Sequence, residues 1–394
     1  MLKKSLIALA VGGFGIGMTE FVMMGILPDV TKDLNVTIPQ AGHFISAYAL
    51  GVVIGAPILV GIAGNYSPKK ILLALMAAFT IFNGLSVFAG SYGFMLLSRL
   101  LSGLPHGAYF GVGAVVASRL AEKGKAASAV AVMFSGLTVA NVIGIPLGTY
   151  VGHTISWRYT FMIVVAIGLL TMVSIYFWLP KIEKAAPIPI KHALKIFKRT
   201  ELWLILAITG IGTGGFFCWY SYITPLLTDV SGFADGMVIF ILMLAGLGMT
   251  FGNILGGKLA DRVSPIKATA FLLTAMAMCL LIIFFIAPIQ WMMLTMVFVT
   301  GAFAFATAPS IQMLMIKSAK ESEMLASSVN QAAFNIANAL GAFLGGLPIA
   351  AGYGYTAPEL VGTGLAICGV AFSLSVIVLR KKRKKTGYYS LQHA

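Results

Sequence analysis

The sequence predicts an all-α integral membrane protein with twelve transmembrane helices in two parallel six-helix repeats. Three observations predict this fold: 59% of the 394 residues are hydrophobic and 10% are charged, long apolar stretches recur along the chain, and the second half repeats the first. A soluble domain has about a quarter of its residues charged, and a disordered chain is rich in charge. A transmembrane β-barrel alternates apolar and polar residues. All three classes are therefore excluded.

Each predicted helix is a run of about 20 mostly apolar residues, the length that crosses a bilayer. The segment after Met1 is longer than the apolar core of a signal peptide, so we interpret it as the first helix. The first-half spans lie near 5–28, 39–62, 70–89, 93–118, 126–151 and 157–179. The second-half spans lie near 201–226, 234–257, 265–287, 289–316, 324–350 and 359–379.

These spans divide the chain into four parts. Residues 1–180 form an N-terminal bundle, 181–200 a linker, 201–379 a C-terminal bundle and 380–394 a basic tail. The linker contains two prolines and is predicted to carry a short amphipathic helix near 193–197 at the membrane surface.

The basic residues indicate the orientation. Of the 27 Lys and Arg residues, all except Lys32, Arg99 and Arg158 fall in loops or termini on one side of this arrangement. The positive-inside rule places that side, with both termini, in the cytoplasm. The net charge of +15 is therefore an orientation signal rather than a nucleic-acid footprint, and the run 380–385 is expected to touch anionic lipid head groups.

An internal repeat relates residue i to residue i+197. Because six helices separate equivalent positions, the two halves point the same way. Such parallel repeats are typical of transporters in which one half rocks against the other around a site near the membrane midplane. The matching positions are Gly13, Gly15 and Gly17 with Gly210, Gly212 and Gly214; Pro28 with Pro225; Gly51 and Gly55 with Gly248 and Gly252; Ser67, Pro68 and Lys70 with Ser264, Pro265 and Lys267; and Asn141, Gly144 and Gly148 with Asn338, Gly341 and Gly345.

No pattern in the sequence indicates an enzyme. The three cysteines, Cys218, Cys279 and Cys368, lie far apart in apolar runs, so neither a disulfide framework nor a zinc site is expected. A phosphate-binding loop and a nucleophile–base motif are absent from the sequence. We therefore expect no cofactor, no metal and no ATP-driven step.

Several motifs resemble those of the major facilitator superfamily, in its branch of bacterial drug:proton antiporters, and within it the arabinose-efflux-type permeases. The resemblance covers essentially the whole chain. The residues that carry it are Met18-Thr19-Glu20-Phe21 with Met24-Gly25; Ala41-Gly42-His43 with Tyr48-Ala49-Leu50-Gly51; Ser98-Arg99-Leu100, Ser102-Gly103 and Pro105-His106-Gly107-Ala108; Gly144-Ile145-Pro146-Leu147-Gly148-Thr149; Trp157-Arg158-Tyr159-Thr160-Phe161; and Gly257-Lys258-Leu259-Ala260-Asp261-Arg262.

The resemblance implies a latch between the halves. The segment that ends in Asp261 and Arg262 is similar to the family's signature cytoplasmic loop, which helps to hold the halves together in the outward-open state. The first-half copy departs from the pattern, because Gly64 and Asn65 stand at the equivalent positions. The Gly144 and Pro146 segment resembles the antiporter motif of the branch, with packing at a kink as the alternative role.

Three strongly polar ionisable side chains, Glu20, Arg99 and His106, lie clearly inside the spans rather than near their ends, where charge is costly and functional by default. Glu20 on helix 1 and Arg99 on helix 4 are predicted at overlapping depths, roughly 12 and 9 Å from the outer surface. Burial favours the neutral acid and a nearby arginine favours the carboxylate, so Glu20 could exchange a proton as the geometry changes. The alternative to a proton-exchanging Glu20 is a static Glu20–Arg99 pair. His106 is a further candidate proton carrier, and its alternative role is a neutral histidine hydrogen-bonded between helices.

Polar and aromatic side chains within the spans are the candidates for substrate binding. Amides satisfy sugar hydroxyls and aromatic rings cover a sugar face or a planar drug; interhelical hydrogen bonding is the alternative role. The candidates are Thr138 and Asn141 on helix 5, Phe217, Trp219 and Tyr220 on helix 7, Gln312 on helix 10, and Gln331, Asn335 and Asn338 on helix 11.

Together these features predict a monomeric, multi-pass transporter of the bacterial inner membrane. It would export a small organic solute, such as a sugar or drug, in exchange for protons. A proton-independent facilitator or importer of a sugar or nucleobase is the first alternative. A membrane sensor with a transporter fold is the second.

Overall fold

In the computed structural model, residues 2–36, 38–63, 66–183 and 194–392 are described. Within those residues, twelve helices are long and apolar enough to cross a membrane, which confirms the predicted number. We call them α1 to α12. We use terminal face for the end of the bundle where α1 begins and α12 ends, and opposite face for the other end.

The twelve helices follow the predicted spans closely. In the first half, α1 is Leu2–Gly25, α2 Ile38–Ala63, α3 Pro68–Val87, α4 Tyr92–Leu120, α5 Ala126–Thr154 and α6 Trp157–Trp178. In the second half, α7 is Thr200–Tyr220, α8 Asp235–Arg262, α9 Pro265–Ile286, α10 Gln290–Ser318, α11 Glu323–Ala350 and α12 Ala357–Gln392.

Two predicted spans end early at breaks near the opposite face. The helix α1 stops at Gly25, and a short helix, Leu27–Leu34, starts with Pro28 in its first turn, a position where the missing N–H of proline has no cost. Likewise α7 ends at Tyr220 and is followed by Ile223–Pro225 and a π-helical turn, Leu226–Val230. The predicted spans 5–28 and 201–226 were too long for this reason.

Two helices contain a π-helical turn inside the membrane. In α5 the turn is Ala140–Gly144, just before Pro146, and in α7 it is Ile208–Gly212. Such turns realign the side chains that follow them and often occur at functional sites. Both lie on helices that line the interface between the halves.

The same helix pairings occur in both halves, as the internal repeat requires. In the first half α1 packs on α5 and α6, α2 packs on α4, and α3 packs on α6. In the second half the equivalent helices pair in the same way: α7 packs on α11 and α12, α8 packs on α10, and α9 packs on α12. Across the interface, α5 contacts α8 and α10, and α11 contacts α2 and α4. The predicted fold of two parallel six-helix repeats is confirmed.

The segments outside the two bundles are partly described. Residues 184–193 of the predicted linker lie outside the described part, and Leu194–Lys198 forms a short 3₁₀ helix at the place where a short helix is predicted. The helix α12 continues to Gln392, so the backbone of the basic segment extends the last membrane helix without a break.

Candidate functional site

A large cavity opens between the two halves toward the opposite face. Its volume is about 690 Å³, and its walls come from α1 and α5 of one half and α7, α8 and α11 of the other. The described residues that line it carry no charged side chain. They are Phe21, Met24, Gly25, Asn141, Ile145, Pro146, Thr149, Phe217, Tyr220, Ser221, Ile223, Thr224, Val238, Ile239, Leu242, Met243 and Asn338.

This cavity brings together five of the predicted site residues: Asn141, Pro146, Phe217, Tyr220 and Asn338. The two asparagines are the repeat-related pair, one from each half. The Nδ2 group of Asn141 donates to Leu137 O at 3.0 Å. A ligand between the halves could therefore contact an amide on each side.

A second, smaller cavity lies deeper, where the halves meet. It measures about 30 Å³, which is room for a water molecule. Its walls include the predicted residues Glu20, His106, Gln312 and Gln331, and Phe21 borders both this cavity and the large one. Phe21 therefore stands between the two spaces.

A network of amides forms the second-half wall of the small cavity. Gln312 Oε1 accepts hydrogen bonds from Asn330 Nδ2 at 2.8 Å and Gln331 Nε2 at 3.1 Å, and Thr209 Oγ1 donates to Asn330 Oδ1 at 2.6 Å. Gln312 also bonds to Ser327. Sequence reasoning missed Asn330 and Thr209, whose only signal was polarity within an apolar span.

Glu20 is the acid of the small cavity. Its side chain is 8% exposed and forms no hydrogen bond or ion pair with the residues that the structure describes. An amide network lies across the cavity, and Arg99 and Tyr48 are close enough to act on Glu20 electrostatically. The carboxyl is thus buried, has no partner among the described residues, and lies next to a space large enough for a water molecule.

Arg99 contacts the residue beside Glu20 rather than Glu20 itself. The guanidinium is fully buried, and it donates to Thr19 Oγ1 at 3.0 Å and to Thr19 O at 2.9 Å. Its Nε has no hydrogen-bond partner in the part of the chain that the structure describes. The predicted depths were close enough for a direct Glu20–Arg99 pair, but the guanidinium is turned onto the α1 backbone, so this static pair is not formed among the described residues.

Tyr48 on α2 connects Arg99 to His106. The ring of Tyr48 lies 4.5 Å from Arg99 Cζ, and its hydroxyl is 3.1 Å from His106 Nδ1. Sequence reasoning used Tyr48 only as a mark of the resemblance. Its hydroxyl next to a buried histidine could not be foreseen without knowing how α2 and α4 are rotated.

The halves are locked together on the terminal face. Asp261 of α8 accepts hydrogen bonds from the backbone N–H groups of Ala127 and Ser128, both at 2.8 Å, and from Ser128 Oγ at 2.6 Å. A carboxylate at this position satisfies the free N–H groups at the start of α5 and interacts favourably with the helix dipole. Arg119 of α4 and Glu323 of α11 form a second link at 2.8 Å.

The other predicted latch residues lie apart from these links. Arg262 is exposed, and an added Cβ on Gly144 would lie 3.1 Å from the ring of Phe14, so Gly144 serves close packing of α5 on α1. The positions Gly64 and Asn65 lie outside the described residues.

Three predicted substrate-binding residues line neither cavity. Thr138 is fully buried and its hydroxyl donates to Ser135 O of its own helix. Trp219 is fully buried against the ring of Phe216, at 5.8 Å between centroids. Asn335 is buried and donates to Gln331 O at 3.2 Å, one turn away from the small cavity.

Comparisons with known proteins agree with this arrangement. The sequence profile of the family described as Major Facilitator Superfamily matches residues 9–324. The chain is 40% identical to the putative transporter AraJ of Escherichia coli (strain K12) over 384 residues, 98% of this chain and 97% of AraJ. It is 42% identical to the inner membrane transport protein YdhP of the same strain over 381 residues, 97% of each chain. The crystal structure of the human organic anion transporter MFSD10 (TETRAN) superposes with a TM-score of 0.75 at 13% identity, covering 94% of this chain and 99% of that one, which supports the fold.

Proposed function

The chain belongs to the Major Facilitator Superfamily, a family of membrane transporters rather than enzymes, and on that premise we propose that it exports a small organic solute in exchange for protons. Residues 1–180 and 201–379 would be the two bodies that rock against each other. The observation that carries the proposal is the buried carboxyl of Glu20, which has no partner among the described residues and lies beside a water-sized cavity between those bodies.

The solute would bind in the large cavity. Asn141 and Asn338 supply one amide from each half, and Phe217 and Tyr220 supply aromatic surface. A ligand held by both halves binds differently in the two orientations, because its two sets of contacts move apart when the halves rock. This difference in affinity is what a ligand needs in order to bias a conformational equilibrium.

The proton would bind at Glu20. Closing a dry site around a bare carboxylate costs several kcal/mol, whereas the neutral acid can be enclosed. The halves would therefore change orientation when Glu20 is protonated or when solute covers the site, and not when the carboxylate is bare and hydrated. The fixed positive charge of Arg99, held on Thr19, would favour release of the proton once water reaches Glu20.

The energy of this exchange is sufficient for export. One proton that moves down a potential of about 150 mV releases roughly 3.5 kcal/mol. In ideal one-for-one exchange this supports a solute gradient of about 300-fold.

We further propose that the terminal face is cytoplasmic, since nearly all basic residues outside the spans lie there. The contacts of Asp261 and the Arg119–Glu323 pair close the structure at that face, and the large cavity opens toward the opposite face. The structure would then be the outward-facing state.

The test is a panel of sugars and drug-like solutes on purified protein in liposomes with an imposed pH gradient. We expect gradient-driven accumulation of one solute class, its collapse with a protonophore, and loss of accumulation in Glu20→Gln with exchange of solute for solute retained. Glu359→Gln is the matched control, because Glu359 is also a buried acid, 1% exposed, but lines neither cavity. Full gradient-driven accumulation by Glu20→Gln would refute the assignment, and accumulation that ignores protonophore would favour the facilitator.

A further inference from the structure

Two prolines that the internal repeat relates follow the helix ends at the large cavity. Pro28 comes just after the end of α1 at Gly25, and Pro225 comes just after the end of α7 at Tyr220. The two prolines are separated by the repeat offset of 197 residues. Gly25 and Tyr220 both line the large cavity. The two halves therefore present equivalent helix ends to the same space.

Each proline deprives one backbone carbonyl of its helical hydrogen bond. In an α-helix a carbonyl accepts from the N–H four residues later, and proline has no N–H. Met24 stands four residues before Pro28, and Ser221 stands four residues before Pro225. Among the described residues, no backbone N–H donates to Ser221 O in place of the lost bond. The repeat thus provides one free acceptor in each half.

Both carbonyls belong to the walls of the large cavity. Met24 and Ser221 line it from opposite halves, and both residues are exposed. Gly25 has no side chain, so the backbone of α1 itself forms that part of the wall. Carbonyl groups point toward the C-terminal end of their helix, and α1 and α7 both run toward the opposite face, where the cavity opens. The two free acceptors therefore point toward the mouth of the cavity.

The rest of the wall suits an uncharged ligand. The cavity volume of about 690 Å³ lies within the range of small-molecule sites, roughly 300–1,000 Å³. Its described lining has no charged side chain, and its polar groups include the amides of Asn141 and Asn338. A charge enclosed without an opposite charge costs far more than a neutral group that forms hydrogen bonds. A solute with hydroxyl or amide N–H groups is thus favoured over an organic ion.

We propose that Met24 O and Ser221 O are a pair of backbone acceptors, one in each half, that bind hydrogen-bond donors of the transported solute. The solute is uncharged and carries two or more donors, which are hydroxyl or amide N–H groups. This inference rests on the proposed function, because it names the chemistry of the solute that the large cavity would take. Since each half supplies one acceptor, the affinity for such a solute depends on how the halves are placed.

The test is isothermal titration calorimetry of the purified full-length protein in detergent with two matched pairs of solutes. One pair is a methyl pyranoside and its fully O-methylated form, and the other is an aryl carboxamide and its N,N-dimethyl form. In each pair, methylation removes the donors and keeps the acceptors and the net charge. We expect the donor form to bind more tightly in at least one pair. The primary amine of the aryl scaffold, a cation at neutral pH, should bind more weakly than the carboxamide.

Two variants restore the missing donors. Pro28→Ala supplies an N–H to Met24 O, and Pro225→Ala supplies one to Ser221 O. Each should weaken binding of the donor form about 2- to 12-fold, the factor that a net 0.5–1.5 kcal/mol per hydrogen bond implies. Neither should change binding of the methylated form. A change of cavity shape alone would weaken both forms, so the ratio of the two affinities separates the two causes.

The control is Pro57→Ala in α2. Pro57 also lies inside a membrane helix, and its missing N–H leaves the carbonyl of Val53 without a helical bond. Neither residue lines the large or the small cavity. The affinities for both members of each pair should therefore be unchanged.

Four results would overturn the proposal. They are equal affinity of the wild type for both members of both pairs, absence of binding included; equal weakening of both forms by the proline variants; the same loss in Pro57→Ala; and tighter binding of the amine than of the carboxamide, which would mean a cation site. Calorimetry needs no proton gradient, so this proposal and the proposed function fail separately. Binding of a donor form without proton-coupled transport would refute proton exchange alone, and proton-coupled transport of a solute without donors would refute the acceptor pair alone.

Discussion

Gly111 is predicted to control which face of the protein is closed. It lies on α4 of the first half, opposite Ser328 on α11 of the second half. A Cβ added at Gly111 would lie 2.6 Å from both the backbone N and Cα of Ser328. Since ordinary carbon contacts are about 3.5 Å or more, Gly111→Ala forces the two helices roughly 1 Å apart.

The magnitude follows from the cost of overpacking. Such insertions cost about 1–3 kcal/mol, and the cost falls only on the state in which α4 and α11 touch. Each 1.4 kcal/mol is a factor of ten in an equilibrium constant. We therefore expect Gly111→Ala to raise the ratio of terminal-face-open to terminal-face-closed molecules by roughly 5- to 150-fold.

The assay is a spin-label distance measurement across the terminal face. Labels at Lys123 and Lys320, both exposed and one in each half, would be introduced in a Cys368→Ser background, because Cys368 is the exposed cysteine while Cys218 and Cys279 are buried. Gly111→Ala should add or enlarge a population at longer distance.

Two glycine variants serve as controls. Gly364→Ala on α12 adds a Cβ with no atom within 4 Å and should change nothing. Gly103→Ala places a Cβ 2.1 Å from Tyr48 O within the first half, so it should lower stability without changing the distance distribution. An unchanged distribution in Gly111→Ala, or the same shift in Gly364→Ala, would refute the reasoning.

Three further predictions concern the contacts around the two cavities. Asp261→Ala removes the carboxylate from the start of α5, and the loss of such a cap costs about 0.5–2 kcal/mol. The closed state is therefore destabilised, and cysteine labelling at the terminal face should become faster. An unchanged labelling rate would contradict the role of Asp261 as a latch. Tyr48→Phe leaves His106 Nδ1 without its buried partner, at a cost of about 1–3 kcal/mol. Thermal unfolding in detergent should therefore show a lower stability. The control, Tyr66→Phe, changes an exposed tyrosine and should have no effect. Arg119→Gln breaks a partly exposed ion pair with Glu323, and such a pair contributes less than about 1 kcal/mol. The increase in the labelling rate should therefore be small and should shrink further in high salt. An effect independent of salt would show that the pair acts by packing.

Most of the fold could be predicted from the sequence because bilayer thickness fixes the length of an apolar run. The repeat offset also predicted that α1 and α7, or α5 and α11, would have equivalent neighbours, which the pairings confirm. The breaks after Gly25 and Tyr220 were missed. Hydropathy does not register a helix end when the residues beyond it are as apolar as those before.

The candidate site was predictable in composition but not in contacts. Polarity within a span was enough to select Glu20, His106, Gln312 and Gln331, which line one cavity. The companion criterion, an aromatic side chain within a span, also selected Trp219, which packs inside the second half. Which face of a helix a residue occupies depends on rotation about the helix axis, and the π-helical turns in α5 and α7 change that rotation partway along the helix.

The most direct test of proton coupling at Glu20 is proton release from purified protein on addition of the solute that the liposome panel identifies. In weakly buffered detergent solution, the wild type should release protons as solute binds, and Glu359→Gln should do the same. Glu20→Gln should bind the solute and release none. Equal proton release by Glu20→Gln and the wild type would contradict the account.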